Sequence, residues 1–303
     1  MTRNDRAQTV GFIGLGQMGG PMTANLVRKG HAVVVYDIDR KKMDHYVAMG
    51  AQAGTGPADL ARRASRVISM VDTTAQAEEV ITGPGGISDA AQSGDVVISM
   101  STIDPVALQK MAAKLEPKGV DLIDSPVTGM EKGAIAGTLN AYVGGKAAAL
   151  EKARPVLESM TSTITHIGTV GQGTVMKLIN NMLMQVNRIL ITEALVLGAK
   201  AGLDPKLMVD IISNATGNSV AFQYTAPKIL ARQFEGIRMD ITYKDVELQT
   251  NLARSLGVPM FIAPVALQVY QMGKAAGLGG KDAVSIVQLY EQWTGVKVAP
   301  REE

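Results

Sequence analysis

No cysteine occurs among the 303 residues. Disulfides, thiolate metal sites and cysteine nucleophiles are therefore excluded. Histidine is nearly as scarce, and His31, His45 and His166 form no ligand-spaced cluster, so no metal site is expected. An excess of one charge is also lacking: 30 basic residues face 28 acidic ones, for a net charge of +2. That balance gives no electrostatic case for nucleic acid or an anionic membrane as partner. Residues 1–8 are polar and lack the apolar stretch of a signal peptide. The apolar runs are broken by charge before they reach membrane length, so a soluble cytoplasmic protein is expected. Four phenylalanines and one tryptophan against 17 methionines imply a core of flexible aliphatic side chains.

What is present is a chain long enough for two domains. An apolar run at residues 10–13 breaks into Gly14, Leu15, Gly16, Gln17, Met18 and Gly19, and a helical pattern follows over 21–29. A second apolar run, 31–36, ends at Asp37, about twenty residues beyond the glycines. Helical patterns at 40–49, 57–64, 74–81, 105–115 and 147–160 then alternate with strand-like segments at 51–53, 66–70, 95–100, 120–123, 138–143 and 162–167. This alternation predicts an α/β fold with a doubly wound parallel sheet, a Rossmann-type domain over residues 1–167. Beyond Gly168 the strand signals nearly vanish. Helical patterns at 205–213, 226–233, 241–256, 264–276 and 282–291 predict an all-helical domain over 168–303. A long helix joins the two, opening at Gly171, Gln172 and Gly173 and running without proline or glycine from Thr174 to Leu197.

The glycine pattern has a specific chemistry in that setting. Gly14 permits the tight turn, Gly16 lets the backbone approach a pyrophosphate, and Gly19 allows close helix packing. The following helix N-terminus faces the anion. Asp37 stands where a carboxylate accepts hydrogen bonds from a ribose and repels a 2′-phosphate, which favours NAD over NADP; Arg40 close by offers a route to NADP. The strand ends at Met70, Val71 and Asp72 and at Ser101 and Thr102 face the same crevice. Ser101 and Thr102 also suit an N-cap for the helix that begins at Pro105.

The joining helix is apolar on almost every side, so it is expected to be buried all round. Lys177 and Asn181 interrupt it on one face, and Gln185 and Arg188 continue the stripe. Burial and the positive end of the helix both favour a neutral amine at Lys177, suited to general acid or base work. The alternative is a lysine whose stem packs while its ammonium reaches water.

These residues resemble the β-hydroxyacid dehydrogenases, the 3-hydroxyisobutyrate dehydrogenase family within the 6-phosphogluconate dehydrogenase superfamily. The match lies in Gly14 to Gly19 with Pro21, Met22, Asn25 and Leu26, in the loop 124–129, in Gly173, Lys177 and Asn181, and in Lys244, Asp245 and Leu248. The resemblance implies that Lys177 is the catalytic lysine and Asn181 a substrate ligand. It implies that Ser125, Thr128, Gly129 and their neighbours Met130 and Lys132 line the substrate site. It implies that Gly14, Leu15, Gly16, Gln17, Met18, Gly19, Asp37, Met70, Val71, Thr102 and Lys244 touch the cofactor. It also implies a homodimer or homotetramer.

The expected reaction is reversible oxidation of a small β-hydroxy acid, or reduction of the matching semialdehyde, of the 3-hydroxyisobutyrate or tartronate semialdehyde type. The rivals are a dinucleotide sensor without turnover and an imine or sulfo-aldehyde reductase of the same architecture; in an imine reductase the catalytic lysine should be replaced. The loop departs from the family's serine and two glycines, reading Thr128, Gly129, Met130, with Lys132 where a small residue is commoner. A lysine there suits a substrate with a second anionic group, or a terminal sulfonate or phosphate; the alternative is a loop lysine that points to water. Gly217, Asn218 and Ser219, with Phe222 after them, are read as a connection or a cover for the substrate.

Overall fold

The computed structural model describes residues 3–300, so Met1 and Thr2 lie outside the described residues. The chain divides into two compact units, Met1–Lys177 and Leu178–Glu303. In the first unit, β1 (Thr9–Ile13), β2 (Ala32–Tyr36), β3 (Gln52–Ala53), β4 (Arg66–Ser69), β5 (Val96–Ser99) and β6 (Asp121–Asp124) form the parallel part of one sheet. Their spatial order is β3-β2-β1-β4-β5-β6, the doubly wound arrangement in which ligands bind beyond the carboxyl ends of the strands. β8 (Leu139–Gly144) extends it, pairing antiparallel with both β6 and β7 (Val127–Thr128), and β9 (Thr161–Gly168) pairs parallel to β8.

Alternate residues of the strands feed two cores. Val33 and Val35 pack in one with Phe12, Ile68 and Ile98. Val34 packs in the other with Val67, Val97 and Leu122. Helices therefore cover both faces, which is why the strands read as unbroken apolar runs. They are α1 (Arg3–Gln8), α2 (Gly19–Arg28), α3 (Arg40–Ala48), α4 (Pro57–Arg63), α5 (Thr74–Thr82), α6 (Pro105–Leu115), α7 (Met130–Ala136) and α8 (Ala147–Leu157).

Two of these helices lie in stretches that showed no helical pattern. α1 is held through Arg6, whose Nη1 donates to Asp95 Oδ1 at 2.8 Å and whose Nη2 donates to the Ala61 carbonyl at 2.7 Å. α7 is capped by Gly129 and Gly137, and buried Asn25 on α2 donates to its Ala134 carbonyl at 2.7 Å.

The long helix α9 (Gln172–Lys200) begins in the first unit and continues into the second, which adds α10 (Pro205–Ile212), α11 (Val220–Leu230), α12 (Met239–Ser255), α13 (Ile262–Ala275) and α14 (Val287–Thr294). Ile191, Leu195 and Val196 pack with Phe222, Ala226 and Ile229 of α11, and Ile189 packs with Val246 of α12 and Tyr270 of α13. α11 starts six residues before its sequence pattern because Ser219 caps it, accepting from the Phe222 N–H at 3.0 Å. Phe222 is buried in the helical core, so residues 217–219 form a helix start rather than a cover.

α9 corrects two expectations. It is not enclosed on every side of this chain: Ile179, Leu183, Leu190 and Leu197 are exposed, Leu197 by 72%. By length and composition it also meets the requirement for a membrane span, contrary to the reading that charge interrupts it too early. Its buried positions in the second unit nevertheless include Gln185, Arg188 and Thr192, and Gln185 and Thr192 hydrogen-bond within the unit. The same half of the helix carries Ile191, Leu195 and Val196 into the core of the second unit.

Candidate active site

The turn after β1 is shaped by contacts that only glycine allows. Gly14 sits at φ 92°, donates to the Tyr36 carbonyl at 3.0 Å, and would meet the Met70 carbonyl if it carried a Cβ. Met70 donates its own N–H to Ile13 at 2.9 Å, which binds the end of β4 to this turn. Gly16 differs, because the space a side chain would take is open. An anion can approach the backbone there, ahead of the first turn of α2. Tight behind and open in front, the cradle fits a dinucleotide pyrophosphate.

Asp37 follows β2 and is brought to the same turn. Its Oδ2 accepts from the Leu15 N–H at 2.7 Å and its Oδ1 from the Asp39 N–H at 2.8 Å. Lys42 Nζ lies 3.9 Å from Oδ1. Ser101 is buried and accepts from the Val71 N–H at 2.8 Å, tying the ends of β4 and β5 together. The N-cap of α6 is therefore not Ser101 or Thr102 but Asp104, which accepts from the Val106 N–H at 2.9 Å. Met70, Val71 and Thr102 are part-exposed at these strand ends.

The residues expected to read the substrate run from the end of β6 through β7 into the first turn of α7. Gly129 has φ 132°, and Met130 has φ 57°, a left-handed conformation unusual for a side chain of this size. Thr128 and Gly129 are part-exposed, and Met130 and Lys132 are exposed in the first turn of α7. Gln17 of the glycine turn donates to Glu131 Oε2 at 2.8 Å, so turn and loop meet directly. Ser125 is placed differently: it is fully enclosed, and its hydroxyl has no hydrogen-bond partner among the described residues.

Asp124, the last residue of β6, opens the matched loop 124–129, but its structural role escaped sequence reasoning. It is completely buried, and its oxygens accept from the Gly171 N–H at 2.7 Å and the Thr174 N–H at 2.6 Å, at the start of α9. Gly173 must be glycine here, since a Cβ would meet the Tyr142 carbonyl and approach Asp124 Oδ2 to 3.0 Å. Burial pushes the Asp124 carboxyl above its ordinary 3.8, and the backbone N–H bonds pull against that shift. The carboxylate also answers the positive end of the helix. Lys177 stands one turn further on and is half-buried.

In the second unit, Asn181 is part-exposed and donates Nδ2 to Asp245 Oδ2 at 2.8 Å. Lys244 Nζ lies 3.3 Å from Asp245 Oδ1. The sequence spacing of 64 residues between Asn181 and Asp245 gave no hint of this pair.

A doubly wound sheet with an open glycine turn and a carboxylate after β2 defines a dinucleotide-binding protein. Residues 9–168 match the NAD-binding domain of 6-phosphogluconate dehydrogenase, and residues 171–290 match the NAD-binding region of NADP-dependent 3-hydroxyisobutyrate dehydrogenase. The chain is 37% identical over 297 residues to the 2-(hydroxymethyl)glutarate dehydrogenase of Eubacterium barkeri, covering 97% of this chain and 99% of that one. It is 33% identical over 281 residues to the 3-sulfolactaldehyde reductase of Escherichia coli, covering 92% and 94%. Among solved structures, a Mycobacterium tuberculosis 3-hydroxyisobutyrate dehydrogenase with L-serine superposes with a TM-score of 0.86 at 32% identity, covering 93% of this chain and 98% of that one. The chain belongs to the β-hydroxyacid dehydrogenase family. Its activity is that of an NAD(P)-dependent oxidoreductase acting on a small hydroxy acid.

Proposed function

We propose that Lys177 is the general acid and base of this enzyme, that NAD is preferred over NADP, and that the substrate is a β-hydroxy acid or semialdehyde with a second anionic group. The supporting observation for the first is the Asp124 anchor: one carboxylate holds the start of the lysine-bearing helix against the end of the strand that opens the substrate loop. Gly14 to Gly19 and Asp37 hold the dinucleotide, with Met70, Val71, Thr102 and Lys244 beside it. The nicotinamide, when bound, supplies the hydride exchange. Lys177 gives a proton to the carbonyl oxygen in reduction and takes the hydroxyl proton in oxidation. The Thr128 and Gly129 backbone N–H groups hold the substrate carboxylate and Asn181 holds the substrate through its amide, so the reacting carbon is oriented before chemistry.

Asp37 supports NAD, because a carboxylate beside the glycine turn accepts from ribose hydroxyls and repels a 2′-phosphate. Lys132, exposed in the first turn of α7, supports a second anionic group on the substrate. The names of two relatives, one acting on a substituted glutarate and one on a sulfolactaldehyde, agree with that class. Exposed Ile179, Leu183, Leu190 and Leu197 along α9 favour a homodimer or homotetramer, in which a second copy covers the stripe. We place this enzyme in the cytoplasm.

The test is a spectrophotometric panel of semialdehydes, 2-oxo acids, sulfo-aldehydes and cyclic imines, read with NADH and with NADPH. Semialdehydes with a second anionic group should be consumed fastest, with NADH. Lys177→Ala should lower kcat by about 100-fold to 10,000-fold with NADH affinity unchanged. Full activity in that variant removes the mechanism, and an unchanged substrate ranking and KM in Lys132→Ala removes the substrate class.

A further inference from the structure

The second unit contains a row of buried polar side chains that the reaction has not yet called on. Asp245 on α12 is 4% exposed. Its Oδ2 accepts from Asn181 Nδ2 at 2.8 Å and from Gln185 Nε2 at 3.2 Å. Gln249, one turn further along α12, donates Nε2 to Gln185 Oε1 at 2.8 Å. Tyr270 fixes the backbone of the same residue, its hydroxyl donating to the Gln185 carbonyl at 2.7 Å.

An ionised carboxylate only accepts. The amide of Asn181 must therefore turn its NH2 group towards Asp245, and Gln185 must do the same. The Gln185 oxygen is then the atom that meets Gln249, so the donors run in one direction, from Gln249 through Gln185 to Asp245. No such direction exists for an amide beside another amide or a hydroxyl, which give and accept equally well.

We infer that Asp245 is a positioning residue that fixes the sense of the Asn181 amide. The side chain then offers a ligand its Oδ1 and its remaining N–H in one set order. A β-hydroxyl both donates and accepts, so it matches that pair in one orientation, and a turned-over amide presents the pair reversed. Asp245 Oδ1 also lies at ion-pair distance from Lys244 Nζ, 3.3 Å, so the lysine proposed at the cofactor and the amide proposed at the substrate share one buried anion. The inference rests on the reading of Asn181 as a substrate ligand.

The test is a double-mutant cycle on the full-length enzyme, with NAD and 2-(hydroxymethyl)glutarate as first probe and 3-hydroxyisobutyrate as second. Asp245→Asn keeps the shape and lets Asn181 turn either way. It should lower kcat by about ten- to a hundred-fold, as misplacement of a substrate contact does. In an Asn181→Ala background the same change should alter kcat by less than about two-fold, because its effect passes through the missing amide. Asp245→Ser, equally unable to impose one polarity, has the same expectation should the Asn variant fail to fold. Wild-type kcat in Asp245→Asn, or an undiminished loss in the Asn181→Ala background, overturns the inference. Unchanged kcat and KM in Asn181→Ala alone shows instead that the substrate reading of Asn181 has failed, and the inference falls with it.

Discussion

Asp124 in the first unit and Asp245 in the second are both buried carboxylates, and they are held in different ways. Asp124 is bound by backbone N–H groups of Gly171 and Thr174, Asp245 by the side-chain amides of Asn181 and Gln185. Backbone donors cannot shift without shifting a helix, so Asp124 decides where α9 begins. Side-chain donors can turn in place, so Asp245 decides which atoms they present. Loss of the first should therefore be felt in stability, and loss of the second in turnover.

The largest effect expected from breaking this contrast is at Asp124. Asp124→Ala leaves two buried N–H groups without acceptors and should destabilise the protein by about 3 kcal/mol in urea unfolding. The pH dependence sharpens the point. A carboxyl whose pKa is raised on folding contributes its stability in full below 3.8 and loses it as pH rises through the raised value. Wild type should therefore lose stability relative to Asp124→Asn as pH is raised from 3.8, and parallel urea midpoints across that range would contradict the burial-driven shift.

A smaller effect is expected in the amide row. Gln185→Leu leaves Asp245 its contact with Asn181 but removes the acceptor of Gln249, and should cost about 1–2 kcal/mol. If thermal or urea unfolding shows it costing more than Asp124→Ala, the division into a stability carboxylate and an orientation carboxylate is wrong. The smallest effect is at Ser99 on β5, whose buried hydroxyl has no partner among the described residues. Ser99→Ala should change stability by less than about 1 kcal/mol, and towards greater stability. A loss of several kcal/mol there would mean that strand-end hydroxyls help to hold the first unit.

What could be read from the sequence was local. The glycine turn and Asp37 sit at fixed offsets after apolar runs, and both were found in place beside each other. Lys177 and Asn181 were visible because four residues along a helix is one turn. The contacts of the two carboxylates were not, although both lie in matched segments, since Asp124 reaches 47 and 50 residues ahead to Gly171 and Thr174 and Asp245 reaches 64 back to Asn181. α7 was missed because seven residues between Gly129 and Gly137 are too few to show a period, and its support comes from Asn25, 109 residues away. The exposed side of α9 was misread because apolar residues all round a helix do not say which side the chain itself covers.

Met130 holds a left-handed backbone that a glycine would adopt without strain. For a residue of its bulk that conformation costs roughly 1–2 kcal/mol. On the proposed assignment of this loop to the substrate, redesign can begin at this position, where the change to glycine returns the loop to relaxed geometry and opens room at once. Most engineered active sites grow less robust as they are remodelled; this loop has one site at which the first step runs the other way.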